Sequence, residues 1–164
     1  MAKRKQSGNS KTGRLRIVAG NWRSRLLDIA NVEGLRPTSE RIRETLFNWL
    51  TPHLHGARCL DLYAGTGALG LEALSRGAGS AVFVERDPAA LRQLQKNIEL
   101  LGADNAEIVA GDALGFLGST SVAPFDIIFL DPPYAGNLIG ETCTLLVDTQ
   151  QLAPDALIYL EDER

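Results

Sequence analysis

From Arg58 to Leu160 the chain alternates between two hydrophobic periods, and this alternation restricts its possible folds more than any other feature. Short apolar runs at 58–62, 81–85, 106–110, 125–130 and 156–160 predict strands. Segments 68–76, 88–101, 112–117 and 137–149 between them predict helices. In 88–101, Leu91, Leu94, Ile98 and Leu101 form one apolar stripe. Asp87-Pro88 opens that helix with proline at the first helical position, where its missing N–H is not needed. Strands alternating with helices require right-handed crossovers, and hence an α/β fold with a doubly wound, mostly parallel sheet.

The fourth of these strands ends abruptly in Asp131-Pro132-Pro133-Tyr134. Proline cannot continue a ladder, so the strand stops there. A carboxylate, a rigid turn and an aromatic ring are thus collected at the carboxyl edge of the sheet, where open α/β sheets bind ligands. Such a cluster suits a flat, amine-bearing group: acceptors meet its N–H donors and the ring stacks on its face. A plain Pro-rich turn after a strand is the alternative reading of this segment alone.

The first strand runs into Asp61-Leu62-Tyr63-Ala64-Gly65-Thr66-Gly67-Ala68-Leu69-Gly70, a loop that opens a helix and contains G-x-G-x-x-G. Its glycines permit a tight turn and close approach of a ligand. Glu85 ends the second strand, placed to accept from ribose hydroxyls, with Arg86 beside it. These facts alone admit a dinucleotide. Two carboxylates favour S-adenosylmethionine instead. Asp61, just before the loop, suits an ammonium and repels a pyrophosphate. Asp112, in Gly111-Asp112-Ala113 after the third strand, can accept from an adenine amine, even if it also caps a helix. The expected cofactor site is therefore Asp61, Tyr63, Ala64, Gly65, Thr66, Gly67, Glu85, Arg86, Asp112 and Ala113.

The charge is unevenly distributed. Residues 1–43 carry eleven Lys/Arg against three acids, whereas residues 44–164 carry six against seventeen. A basic arm on an acidic body suggests an anionic polymer as partner. Residues 1–13 are polar and basic, and are expected to be disordered. Leu15–Val18 and Arg25–Ile29 predict a hairpin around Gly20-Asn21, with Trp22 facing either RNA or the core. Thr38 or Ser39 can cap a helix in which Ile42, Leu46, Phe47 and Leu50 recur at helical spacing and Trp49 belongs to the core or an interface. The resulting division is a tail 1–13, an RNA-binding extension 14–52 and a cofactor-binding domain 53–164.

No secretory signal and no run of about 18 apolar residues is present, so neither secretion nor a membrane span is expected. Cys59 and Cys143 lie far apart in apolar surroundings and are expected to be reduced, as in the cytoplasm. His53 and His55 lack acidic or cysteine companions, so no metal site is expected.

D-x-x-x-G-x-G, an acid after the second strand, G-D-A after the third and D-P-P-Y after the fourth resemble a Rossmann-like class I S-adenosylmethionine-dependent methyltransferase acting on an exocyclic amine. Arg16-Ile17-Val18-Ala19-Gly20, then Arg36-Pro37-Thr38 with Arg41 and Arg43, then Leu46-Phe47, resemble the bacterial RsmD family. The two stretches together span nearly the whole chain. That resemblance implies transfer of a methyl group to N2 of a guanine in 16S ribosomal RNA, within a small ribosomal subunit or an assembly intermediate. It implies that Asp131 and the Pro132 carbonyl hold the amine, that Pro133 fixes the carbonyl's direction, and that Tyr134 stacks on the base. Arg16, Arg23, Arg36, Thr38 and Arg41 are the candidate RNA contacts, the arginines on phosphates. Members of this fold add a C-terminal hairpin of two strands, and the sequence stops before it, so a sheet without that hairpin is expected. Competing readings are a DNA adenine-N6 or protein glutamine methyltransferase with the same pocket, an NAD-dependent oxidoreductase, and a non-catalytic ribosome-assembly factor.

Overall fold

The computed structural model describes residues 13–119, 123–132 and 138–161. All of the basic tail but Gly13, together with Pro133 and Tyr134, lies outside them. In chain order the elements are β1 (Arg14–Arg16), β2 (Leu26–Asp28), α1 (Glu40–Leu54), β3 (Arg58–Asp61), α2 (Ala68–Ser75), β4 (Ser80–Glu85), α3 (Pro88–Leu101), β5 (Ala106–Ala110), α4 (Ala113–Ser119), β6 (Phe125–Leu130), α5 (Leu138–Asp148) and β7 (Leu152–Leu160).

Five strands form one parallel sheet in the order β5-β4-β3-β6-β7. The direction of winding reverses between β3 and β6, so the carboxyl ends of these two strands flank the crevice where such folds bind ligands. Central strands are apolar on both faces because helices cover both. Ala81, Phe83, Ile127 and Phe129 pack towards α1, α2 and α3. Val82, Val84, Ile128 and Leu130 pack towards α4 and α5. This two-sided burial is why the strands read as continuous apolar runs rather than alternating ones.

β1 and β2 pair antiparallel, as the hairpin pattern predicts, and bury Leu15, Ile17, Leu27 and Ile29 in the same core as α1 and α2. Trp22 is half-buried and packs against that core. The turn presses closely on α2: Gly20 has φ +87°, and a Cβ there would lie 1.9 Å from the Ser75 carbonyl oxygen. Backbone N–H groups of Asn21 and Trp22 donate to the Ser75 carbonyl and hydroxyl, capping the end of α2.

Three expectations need correction. Trp49 is 74% exposed and belongs to no core, and Ile42 is also exposed. The buried stripe of α1 is Arg43, Leu46, Phe47, Leu50 and Leu54, and a seven-residue spacing puts Ile42 and Trp49 together on a flank about 100° round the helix from it. β7 starts at Leu152 rather than 156, through a register irregularity opposite Phe125 and Ile127. It accommodates Pro154 because, within the described sheet, it is an edge strand.

Candidate active site

At the carboxyl edge, between the ends of β3 and β6, lies a cavity of about 1340 Å³. That exceeds the roughly 300–1,000 Å³ of a single small-ligand pocket and leaves room for two ligand groups side by side. Asp61, Tyr63, Ala64, Gly65, Thr66, Glu85, Arg86, Asp112 and Ala113 line one part of it, and Asp131 and Pro132 line another. Residues Val32 to Ser39, including Arg36 and Thr38, form a wall across it. The expected cofactor and amine residues, far apart in sequence, thus meet around one space. Gly67, Arg16, Arg23 and Arg41 do not line it.

The glycine loop is fixed from within. Ala64 N–H donates to the Val84 carbonyl and Gly67 N–H to the Ala64 carbonyl. Gly65 N–H donates to Glu85 Oε2 at 2.7 Å, and Ala68 N–H to Thr66 Oγ1. Gly67 begins α2 at φ +77°, and a Cβ there would meet Leu94 Cδ1 at 2.5 Å; its constraint is packing of α2 on α3. A pyrophosphate needs free backbone N–H groups at such a loop, and those of Gly65, Gly67 and Ala68 are already bonded inside the protein.

Asp61 is buried, and its Oδ2 accepts the Gly70 N–H at 3.0 Å. Burial pushes its carboxyl up to about 7, the Gly70 hydrogen bond opposes this, and the charges of Asp131 and Glu85 add to the rise. A carboxylate held this way is relieved by a cation. Glu85 takes three backbone donors, from Gly65, Arg86 and Asp87. A carboxylate offers about four lone-pair sites, so one remains for a ribose hydroxyl. Asp112 Oδ2 accepts the Gly115 N–H in the first turn of α4, combining the cap with a place on the wall. The Tyr63 hydroxyl meets Thr142 Oγ1 of α5 at 2.9 Å, and burial first pushes its pKa up.

Several candidate RNA contacts have internal partners. Arg16 makes a two-point pair with Glu40, at 3.1 and 2.7 Å, on the surface. Thr38 is buried and donates to Glu161 Oε2 at 3.2 Å. Arg23, Arg36 and Arg41 are exposed. Arg43, grouped in sequence with the basic arm, is buried instead: it donates to the carbonyls of Arg16 and Thr38 and pairs with Glu72.

Glu161 and the wall formed by Val32 and Leu35 are not predicted from the sequence, although both line the cavity. Nothing near Glu161 in sequence signals its place, because its partner Thr38 lies 123 residues away. Glu72 had a signal, as the lone acid in the otherwise uncharged helix Ala68–Ser75.

With the Gly65, Gly67 and Ala68 amides committed and its walls lined by carboxylates, the crevice disfavours a dinucleotide, and the fold and site together define a Rossmann-like class I methyltransferase. The family model described as conserved hypothetical protein 95 matches residues 15–164. The chain belongs to this family, the RsmD family. It is 49% identical to the ribosomal RNA small subunit methyltransferase D of Escherichia coli strain K12, over 97% of this chain and 80% of that protein. The Haemophilus influenzae protein of the same name is 47% identical, over 99% and 85%. Among solved structures, the putative methyltransferase YhhF of Escherichia coli superposes with a TM-score of 0.82 at 51% identity, over 90% of this chain and 81% of that one. Among the described residues, no helix is long and apolar enough to cross a membrane, and no group of three His, Cys, Asp or Glu could hold a metal.

Proposed function

We propose that this chain transfers a methyl group from S-adenosylmethionine to the exocyclic N2 amine of a guanine in 16S ribosomal RNA. The observation that carries this reading is the shared cavity, in which Asp131 and Pro132 at the end of β6 face the same space as the loop after β3. The names of the relatives, ribosomal RNA small subunit methyltransferases, support the substrate class.

The residues fit a cationic cofactor. Asp61 is a buried carboxylate raised to about 7, which a methionine ammonium would relieve. Asp61 and the loop would hold the amino-acid part, Glu85 the ribose, and Asp112 the adenine amine, between Tyr63 and Ala113. When bound, the cofactor supplies an electrophilic methyl group on a sulfonium.

The chain's own groups solve a different problem. A guanine amine is a poor nucleophile because its lone pair is delocalised into the ring. The Asp131 carboxylate and the Pro132 carbonyl each accept one N–H, which favours a pyramidal nitrogen with its lone pair free. Asp131 takes the proton the nitrogen loses as its new bond to carbon forms. Most of the rate then comes from positioning and fixed charge. Of the residues outside the described ones, the sequence assigns Pro133 to fixing the carbonyl's direction and Tyr134 to stacking on the base, which would be worth roughly 1–3 kcal/mol. The base must leave its stack to enter, so a flipped or looped-out nucleotide is the expected substrate. Arg23 and Arg41 hold phosphates outside the cavity and Arg36 holds one at its wall, and Arg16 joins them if it leaves Glu40.

The test is nucleoside analysis after incubation with labelled S-adenosylmethionine and small ribosomal subunits lacking the modification, beside naked 16S rRNA and DNA. Label in N2-methylguanosine from ribosomal RNA is the expected result. Label in adenine or in protein would overturn it.

A further inference from the structure

The cavity wall contains a carboxylate that the proposed chemistry leaves without a role. β6 and β7 are in parallel register, Phe129 opposite Tyr159 and Leu130 opposite Leu160, and the Glu161 N–H donates to the Leu130 carbonyl at 3.0 Å. Asp131 and Glu161 are therefore equivalent positions at the ends of neighbouring strands, one strand spacing of about 4.8 Å apart at the backbone. The two-residue period gives both the sheet face that carries Phe129 and Tyr159. Both line the cavity. The Tyr159 hydroxyl lies beside both: burial, then the charges of Glu161 and Asp131, then a hydrogen bond to Glu161 push it up to about 12. Thr38 fixes the second carboxylate by donating to its Oε2, which leaves Oε1 without a hydrogen bond from Thr38.

We propose that Glu161 is the specificity-determining acceptor for the base, taking the N1–H of guanine while Asp131 and Pro132 hold the neighbouring N2 amine. This rests on the guanine reading of the site and deepens it. Guanine presents N1–H and the N2 amine side by side, two adjacent donor groups that match two adjacent acceptors. Adenine presents an amine beside an unprotonated N1. Its lone pair would face the Glu161 carboxylate with no proton between them, and a buried repulsive contact rejects a ligand more strongly than a missing one. Thr38 then acts through Glu161 as a positioning residue, which gives the Val32–Ser39 wall a part in choosing the base.

The test replaces the target guanine by 2-aminopurine, which keeps the amine but has an unprotonated N1, in reconstituted small subunits. The wild-type chain should methylate guanine faster than 2-aminopurine by roughly 10- to 100-fold. In Glu161→Gln the amide oxygen can still accept from Thr38, while its N–H₂ can donate to the unprotonated N1. The variant should therefore lose activity on guanine and gain on 2-aminopurine, so that the preference shrinks or reverses, with affinity for S-adenosylmethionine within about twofold of wild type. An equal loss on both bases, or a matching loss of cofactor affinity, would overturn the role of Glu161. Failure of the wild-type chain to methylate guanine in any RNA would instead overturn the reading of the site, and this inference with it.

Discussion

Arg43 and Glu72 form an ion pair in the interior, 3.5 Å apart, with side-chain exposures of 2% and 0%. Glu72 also accepts from the backbone N–H groups of Val18 and Ala19 and from Arg76 Nε. Arg43 also donates to the carbonyls of Arg16 and Thr38. This network ties the β1–β2 hairpin, the wall segment and α1 to α2, the first helix of the sheet domain. A buried charge survives only when it is paired and hydrogen-bonded, and here both conditions are met.

Removing one partner strands the other. Glu72→Ala leaves Arg43 buried without its counter-charge and two backbone N–H groups without acceptors. The expected loss is about 3–5 kcal/mol of unfolding free energy, read by urea denaturation. An Arg43→Met, Glu72→Met pair should cost less than Glu72→Ala alone, because the buried Arg43 charge is removed together with its partner and only Arg76, at the edge of the network, loses its counter-charge.

The third glycine of the loop is a packing residue. A Cβ on Gly70 would lie 2.3 Å from Phe83 Cε1, so Gly70→Ala forces α2 away from β4. It should lower stability by about 1–3 kcal/mol. It should also weaken cofactor binding, because the Gly70 N–H that holds Asp61 moves with α2. Calorimetry and thermal denaturation on one preparation would read both.

Asp61 sets a pH dependence whose sign follows from its raised pKa, about 7 in the fold against the ordinary 3.8. Between these values the folded chain binds a proton that the unfolded chain does not, so stability falls as pH rises from about 4 to 7 and then levels. A cationic ligand favours the ionised form. Its affinity should hold above pH 7 and fall below it, by up to about tenfold per unit, with Asp61 releasing its proton on binding. Titration calorimetry from pH 5.5 to 8.5 checks this, and Asp61→Asn should flatten the profile.

The same physics explains which parts could be read from the sequence. The parallel sheet and its strands were accessible because strands covered on both faces keep their apolar runs, and the loop because its glycines and carboxylates are contiguous. α1 misleads by composition: a tryptophan faces solvent and an arginine lies inside. The phase of the helix held the answer, since Arg43, Leu46, Phe47, Leu50 and Leu54 fall on one stripe. Glu161 could not be found, because its meaning comes from strand register and from Thr38, and neither is local.

The arginines on the surface should differ in their contribution to RNA binding. Arg41 is exposed, and Arg41→Ala should lower the slope of log K against log salt by about 0.7–0.9, the release expected from one phosphate contact. Arg16→Ala should change it less, because Glu40 already neutralises that side chain. Filter binding at several salt concentrations separates the two.

The central claim is that Asp131 acts on the amine rather than on the cofactor. The most direct measurement is the single-turnover rate of methyl transfer to small ribosomal subunits by Asp131→Ala, alongside its affinity for S-adenosylmethionine. The expected result is a loss in rate of about 10²–10³-fold with affinity within about twofold of wild type. An unchanged rate, or a loss fully matched by weaker cofactor binding, would contradict it.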